Sequence, residues 1–312
     1  MMRTRYKDSF WDTDINSTSG YDGLKNRMKD GKKLSSEVET YFKQRAKIEK
    51  DYSKDLQKLV DSCKLKVELH EGTLEQAWNK VKIETLQMAQ IHETAGLDFE
   101  KLAQEMSSFM EEQKRQVKAA EDTVQKAHNS LKSTYSKLTS QEKTFHIKGE
   151  DYDKLQNSVK YSERGQATPK ELEKLRNKES KAKEELDKNE SSYKSLIEEV
   201  TKCKAIFEKE MTKMCELFQE LDEKRIEHTR ENLWKCTNVD SRTCVEHDEC
   251  AEKMRQMIEP CDIDKDIQLF IKNYRTGSEK PPDVTFKSGR GQPLKIQVDS
   301  GDHLYSEVKL TY

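Results

Sequence analysis

Apolar residues recur at alternating three- and four-residue steps through two long stretches of the chain. One runs Leu74, Trp78, Val81, Thr85, Met88, His92, Ala95, Phe99, Leu102, Met106 and Phe109, then Val117, Ala120, Val124, Ala127, Leu131, Thr134, Leu138 and Phe145. The other runs Leu172, Leu175, Glu179, Ala182, Leu186, Asn189, Tyr193, Leu196, Val200, Cys203, Phe207, Glu210, Met214, Leu217 and Leu221. A seven-residue apolar repeat held over such lengths keeps one seam toward a partner helix and imposes a left-handed supercoil. Each helix reaches on the order of 100 Å, too long to hide its seam within its own globule. Another long helix, from this chain or a second copy, has to cover it.

Signals at the element ends divide the chain. Phe10 and Trp11 stand in polar surroundings and read as a short piece that docks its aromatics on a neighbouring helix. Asn16 to Ser19 supply capping residues for a first amphipathic helix from about Tyr21 to Lys64, with Leu24, Met28, Leu34, Val38, Phe42, Ile48, Tyr52, Leu56 and Leu59 on one face. After a break at His70 to Gly72, Thr73 and Gln76 have capping-box spacing, so a second helix starts there and is expected to end near Tyr161. Thr168, Pro169 and Glu171 start a third, and the short turn makes the two an antiparallel hairpin. The third is expected to run to about Lys235, weakened locally by Glu179, Asn189 and Glu210. A separate, weaker helix is expected from Arg242 to Ile258, ended by Pro260, and a short amphipathic one from Asp264 to Tyr274. From Ser278 to Tyr312, three prolines, repeated glycines and few large apolar residues describe a disordered tail. The expected fold is all-α, an elongated antiparallel helical bundle or coiled coil over residues 1–275, with the tail over 276–312.

Composition supports this outline: 37% of residues are charged and 33% hydrophobic, with only 11 glycines and 5 prolines. No stretch of about 18 apolar residues occurs, and Met1 to Tyr6 lacks the apolar core of a secretory signal, so a cytosolic protein is expected. The seven cysteines are odd in number and include no CxxC pair, which favours reduced thiols. Cys244, His247 and Cys250 fall at i, i+3 and i+6 without a clear fourth ligand, and packing is favoured over zinc. No metal or cofactor is expected. Catalysis is not expected either, because no phosphate loop, nucleophile elbow or zinc-protease helix is present.

Net charge is only −2, so an anionic partner has to be bound by a local patch. Between Gln113 and Lys148, Lys114, Arg115, Lys118, Lys126, Lys132, Lys137, Lys143 and Lys148 far outnumber Glu121, Asp122 and Glu142. In the first helix Lys25, Arg27, Lys29, Lys32 and Lys33 stand against Asp30. Such runs are either the solvated face of coiled helices or, on adjoining helices, a band for anionic lipid head groups. Nucleic acid is not expected, because aromatic interleaving and a reading module are lacking.

Phe10-Trp11, Gly20-Tyr21-Asp22, Asp30-Gly31-Lys32-Lys33, and Arg45-Ala46-Lys47-Ile48-Glu49 followed by Tyr52, Lys54 and Leu56 resemble the start of an F-BAR domain. Leu233-Trp234, Cys244-Val245, Cys261-Asp262-Ile263-Asp264 with Asp266-Ile267 and Phe270, Thr276-Gly277 and Pro281-Pro282 resemble the proline-serine-threonine phosphatase-interacting protein family. The resemblance covers about residues 6–282. It implies a crescent-shaped antiparallel homodimer that binds phosphoinositide-rich membrane, senses or imposes curvature and connects it to regulators of the actin cytoskeleton. Its place would be cytoplasmic, peripheral at the plasma membrane and at actin-rich structures. The familial basic positions match Lys114, Arg115 and Lys118 best and Lys32 and Lys33 next, and Lys126 continues the run. The resemblance also implies binding of PEST-type tyrosine phosphatases through Trp234, which read from the residues alone is equally an ordinary core aromatic.

Nothing after Gly277 has the length or strand content of a Src-homology-3 domain, so the chain resembles the family's shorter branch. Ser53 departs from the usual glycine. In that branch phosphorylated tail tyrosines recruit inhibitory signalling enzymes, and Tyr305-Ser306-Glu307-Val308 has the spacing that phosphotyrosine-reading domains use. Tyr312 is the weaker site, since no residue follows it. The main rival to a membrane adaptor is a purely structural coiled-coil scaffold that never touches lipid.

Overall fold

The structure, a computed structural model, describes residues 4–63, 72–165 and 167–282, and beyond them 284, 286–287, 289 and 293–294. Among the described residues four helices dominate: α1 (Ser19–Ser62), α2 (Thr73–Arg164), α3 (Pro169–Ile258) and α4 (Ile263–Tyr274), with a 3-10 turn at Tyr6–Asp8 ahead of them. The fold is all-α, as the two apolar repeats require. With 92 and 90 residues, α2 and α3 each have a contour length of roughly 140 Å at 1.5 Å per residue. Two short strands, β1 (Phe286–Lys287) and β2 (Pro293–Leu294), pair antiparallel inside the segment expected to be a disordered tail. Described residues within Met1–Leu65 and Lys80–Arg255 form one compact unit, and those within Lys66–Asn79 and Gln256–Tyr312 a second.

In the first unit, α1, α2 and α3 supply one layer each to two apolar clusters. Tyr21, Leu24 and Met28 meet Val124 and the α3 side chains Met211, Met214, Cys215, Phe218 and Leu221. Further along, Phe42 and Ala46 meet Ala95, Phe99, Leu102, Ala103, Met106, Cys236 and Val239. Each large side chain buried there contributes about 1.5–3 kcal/mol, so these layers outweigh local helix preference.

That balance corrects one expectation. The third helix does not stop near Lys235 and resume at Arg242; α3 is continuous through both. Thr237, Asn238, Asp240 and Ser241 are poor helix formers, each costing some tenths of a kcal/mol. Cys236 just before them and Val239 among them are core residues. Asp240 accepts from Arg45 at 2.7 Å, and Arg242 pairs with Asp98 of α2. Packing and pairing hold the turn helical.

A buried polar joint ties the start of the chain to α3. Asp222, only 3% exposed, accepts from Arg225 at 2.8 and 3.0 Å, from Arg27 at 2.9 Å and from the Tyr6 hydroxyl at 3.0 Å. Gly31 makes room for it, since a Cβ there would stand 2.5 Å from the Arg225 Nε. Phe10 packs beside Tyr6 against the first cluster, while Trp11 is exposed and donates its indole N–H to the Lys7 carbonyl at 2.5 Å. Only one of the two expected docking aromatics is therefore seated.

Helix starts differ in how far local sequence makes them. At α3 the Glu171 carboxylate accepts from the Thr168 backbone N–H at 3.1 Å and its hydroxyl at 2.7 Å, as the spacing predicts. At α2 no Thr73–Gln76 box forms. In the second unit Asp266 of α4 accepts instead from the Thr73 and Leu74 backbone N–H groups at 2.6 and 3.0 Å and from the Thr73 hydroxyl at 2.8 Å. A carboxylate at a helix N-terminus is favoured by the macrodipole, and one from α4 fills the role that Gln76 was expected to play.

Candidate functional site

The basic run of α1 divides over the helix surface. Arg27 turns inward to Asp222, and Lys33 pairs with Asp30 at 2.8 Å and lies in a shallow depression with Ser36, Glu37 and Thr40. Lys25, Lys29 and Lys32, at steps of four and three, share one face. Opposite them Lys114 and Lys118 do the same on α2. These five lysines line one groove of about 430 Å³ between the two helices.

Met28, Met110 and Val117 also line the groove. Beside it, the Gln113 side chain donates to the Leu221 carbonyl at 2.7 Å and so fastens α2 to α3. Two acids, Glu121 and Asp122, lie among the lining residues, so five lysines face two carboxyl groups. Burial raises the Glu121 pKa, nearby Lys25 opposes that rise and Asp122 adds to it. Lys25 also lies over the Tyr21 ring, 5.6 Å from its centroid. Among the described residues none of Lys29, Lys32 and Lys118 forms an ion pair, whereas Lys114 pairs with Glu111 at 3.2 Å. Ser35, 1% exposed, adds a hydroxyl without a hydrogen-bond partner among the described residues.

Of the expected membrane positions, Lys32, Lys114 and Lys118 are brought together here. Arg115 pairs with Glu112, and neither it nor the exposed Lys126 lines the groove. Lys25, Lys29 and Ser35 were not singled out as site residues. Their signal was available for the lysines in the four-and-three spacing of Lys25, Lys29 and Lys32, but nothing local marks Ser35.

Trp234 lies on α3 and is 70% exposed, with Leu233 exposed beside it. It is not a core aromatic of this chain. Lys235 next to it pairs with Glu105 of α2 at 2.7 Å. Tyr305 and Tyr312 lie outside the described residues. Cys244 is exposed, while Cys250 is buried, where burial first and Glu84 second push its thiol pKa up. His247 meets the His92 ring edge-on at 5.6 Å. Among the described residues no group of three His, Cys, Asp or Glu is placed to hold a metal ion. Nor is any helix among them long and apolar enough to cross a membrane.

Residues 20–94 match the Fes/CIP4, and EFC/F-BAR homology domain. Over 289 residues the chain is 30% identical to Proline-serine-threonine phosphatase-interacting protein 1 of Homo sapiens, covering 92% of this chain and 68% of that one. The Mus musculus protein of the same name is 29% identical over 289 residues, covering 92% and 69%. The Imp2 F-BAR domain structure superimposes with a TM-score of 0.79 at 22% identity over the whole of both chains, a likeness of fold.

Proposed function

Since the chain belongs to the F-BAR proteins, in the family of the proline-serine-threonine phosphatase-interacting proteins, we propose that it is a homodimeric adaptor that lays its basic groove on anionic, phosphoinositide-rich membrane. In this reading it follows or imposes membrane curvature at the cytoplasmic side of the plasma membrane and joins it to regulators of the actin cytoskeleton. The observation that carries the reading is the meeting of Lys25, Lys29 and Lys32 with Lys114 and Lys118 across one groove. Each basic residue near an anionic surface is worth about 1 kcal/mol, so such a set supplies several. The Ser35 hydroxyl at the groove offers a phosphate a further donor.

Trp234 is the proposed anchor for a PEST-type tyrosine phosphatase. Its exposure supports this, as do the names of the human and mouse relatives. Tyr305, and more weakly Tyr312, are proposed docks for phosphotyrosine-reading signalling enzymes. F-BAR proteins are generally non-enzymatic adaptors, and the groove holds lysines and carboxyl groups without a nucleophile and base in register.

Sedimentation with phosphoinositide-containing liposomes tests the membrane reading. Replacing Lys29, Lys32, Lys114 and Lys118 together by Gln is expected to weaken binding at least tenfold while helicity and dimerisation persist, and added salt should mimic the defect. Undiminished binding by this variant at low salt would remove the groove from the mechanism, and no binding by the native chain would favour the lipid-free scaffold.

A further inference from the structure

Where the segment before α1 folds over α2 and α3, the first unit contains a second cavity, of about 440 Å³. Small-molecule sites have volumes of roughly 300–1,000 Å³. Five rings line this one: Phe10, Trp11 and Tyr21 from the N-terminal side, His128 from α2 and Phe207 from α3. Aromatic walls of this kind favour a flat ring system, which can stack or meet them edge-on.

The polar groups narrow the class. Lys204 and Glu208 at the cavity pair with each other at 3.7 Å. Asp12 accepts from the Ser17 and Ser19 hydroxyls at 2.6 and 2.7 Å. Asp14, also at the cavity, accepts from the Asn16 backbone N–H at 2.9 Å. The one lysine among the described lining residues is paired, which leaves no free cation for an anionic ligand, and both aspartates already accept hydrogen bonds within the N-terminal segment. His128 is different. It is 5% exposed, its ring centroid lies 5.4 Å from that of Phe207, and its Nε2 has no hydrogen-bond partner among the described residues. A hydroxyl can donate or accept and therefore satisfies that nitrogen in either tautomer.

We propose that this cavity binds a neutral, flat aromatic molecule of two or three fused rings carrying one hydroxyl, which hydrogen-bonds to His128 Nε2. Such a ligand bridges the N-terminal segment to α2 and α3, and no residue lines both this cavity and the basic groove.

Titration calorimetry of the full chain with naphthol and with naphthalene, which lacks the hydroxyl, tests the assignment. One naphthol per chain is expected, with naphthalene bound at least fivefold more weakly. His128→Phe keeps a ring in place and should abolish the preference, with helicity checked by circular dichroism. Should that variant unfold, Trp11→Ala, at an exposed position, serves instead and should weaken both probes at least threefold. Equal affinity of the native chain for both probes, absence of saturable naphthol binding, a preference unchanged in His128→Phe or affinities unchanged in Trp11→Ala would each overturn the proposal. Tighter binding of dodecanoate than of naphthol would also overturn it, making the cavity an acyl-chain site.

Discussion

Asp222 shows what a single side chain can do at a helix junction. Burial raises its pKa, but hydrogen bonds from Arg225 and Arg27 outweigh that and hold it below the usual carboxylate range. Replacing it with Asn leaves the Arg225 side chain, 6% exposed, without its counter-charge. A broken buried pair costs about 3–5 kcal/mol, so Asp222→Asn should lose that much in urea unfolding, measured at fixed protein concentration. The pH dependence follows from the depressed pKa. Stability contributed by the ionised carboxylate is present above the unfolded value of about 3.9 and is lost as pH falls through the folded value. The native chain, but not Asp222→Asn, should lose this increment below about pH 4. Equal stability of the two at neutral pH would refute the joint. None of this was legible beforehand, because linear spacing joins neither Gly31 to Arg225 nor Tyr6 to Asp222.

At the scale of elements, the sequence is a good guide wherever apolar spacing or a local cap decides the outcome. The starts of α1, α2 and α3 lie within about two residues of where Tyr21, Thr73 and Pro169 place them. Thr168 and Glu171 make their bonds as spaced. It is a poor guide where a distant group intervenes: Arg45 and Asp98 keep α3 helical through its polar stretch, and Asp266 caps α2 from 193 residues away. Those backbone bonds from Leu74 and Thr73 are also what lower the Asp266 pKa. Asp266→Ala should therefore release the first amides of α2 by about 1 kcal/mol, roughly a fivefold faster hydrogen exchange at Thr73 and Leu74, with little change in global unfolding. Unchanged exchange there would mean that the cap is not formed in solution.

At the scale of the whole molecule, apolar surface remains uncovered in the first unit. Leu34, Tyr41, Ile48 and Leu59 on α1, Ile83 and Leu97 on α2, and Ile226 and Val245 on α3 are all exposed in the single chain. Obligate interfaces of this character bury more than about 2,000 Å², so analytical ultracentrifugation at sub-micromolar concentration should show dimer. A stable, folded monomer would contradict it. Partner sites should fail separately: Trp234→Ala is expected to abolish PEST-type phosphatase capture and spare phosphotyrosine-dependent partners, and Tyr305→Phe the reverse. Recovery of every partner by both variants in a pull-down from pervanadate-treated cells would exclude these sites. The candidate membrane site was half legible. Charge excess marks the helices, but which lysines face one another depends on the rotation of α1 against α2, and that is set by Met28, Val117 and their neighbours.

The Asp266 cap also places the start of α2 late in time. The carboxylate follows Thr73 by 193 residues, and at about 5–20 residues per second a ribosome needs roughly ten to forty seconds to make that interval. Once it has left the ribosome, the first turn of α2 keeps its amides on water until then. The chain therefore seals the beginning of its second helix only after the whole of α3 has been made.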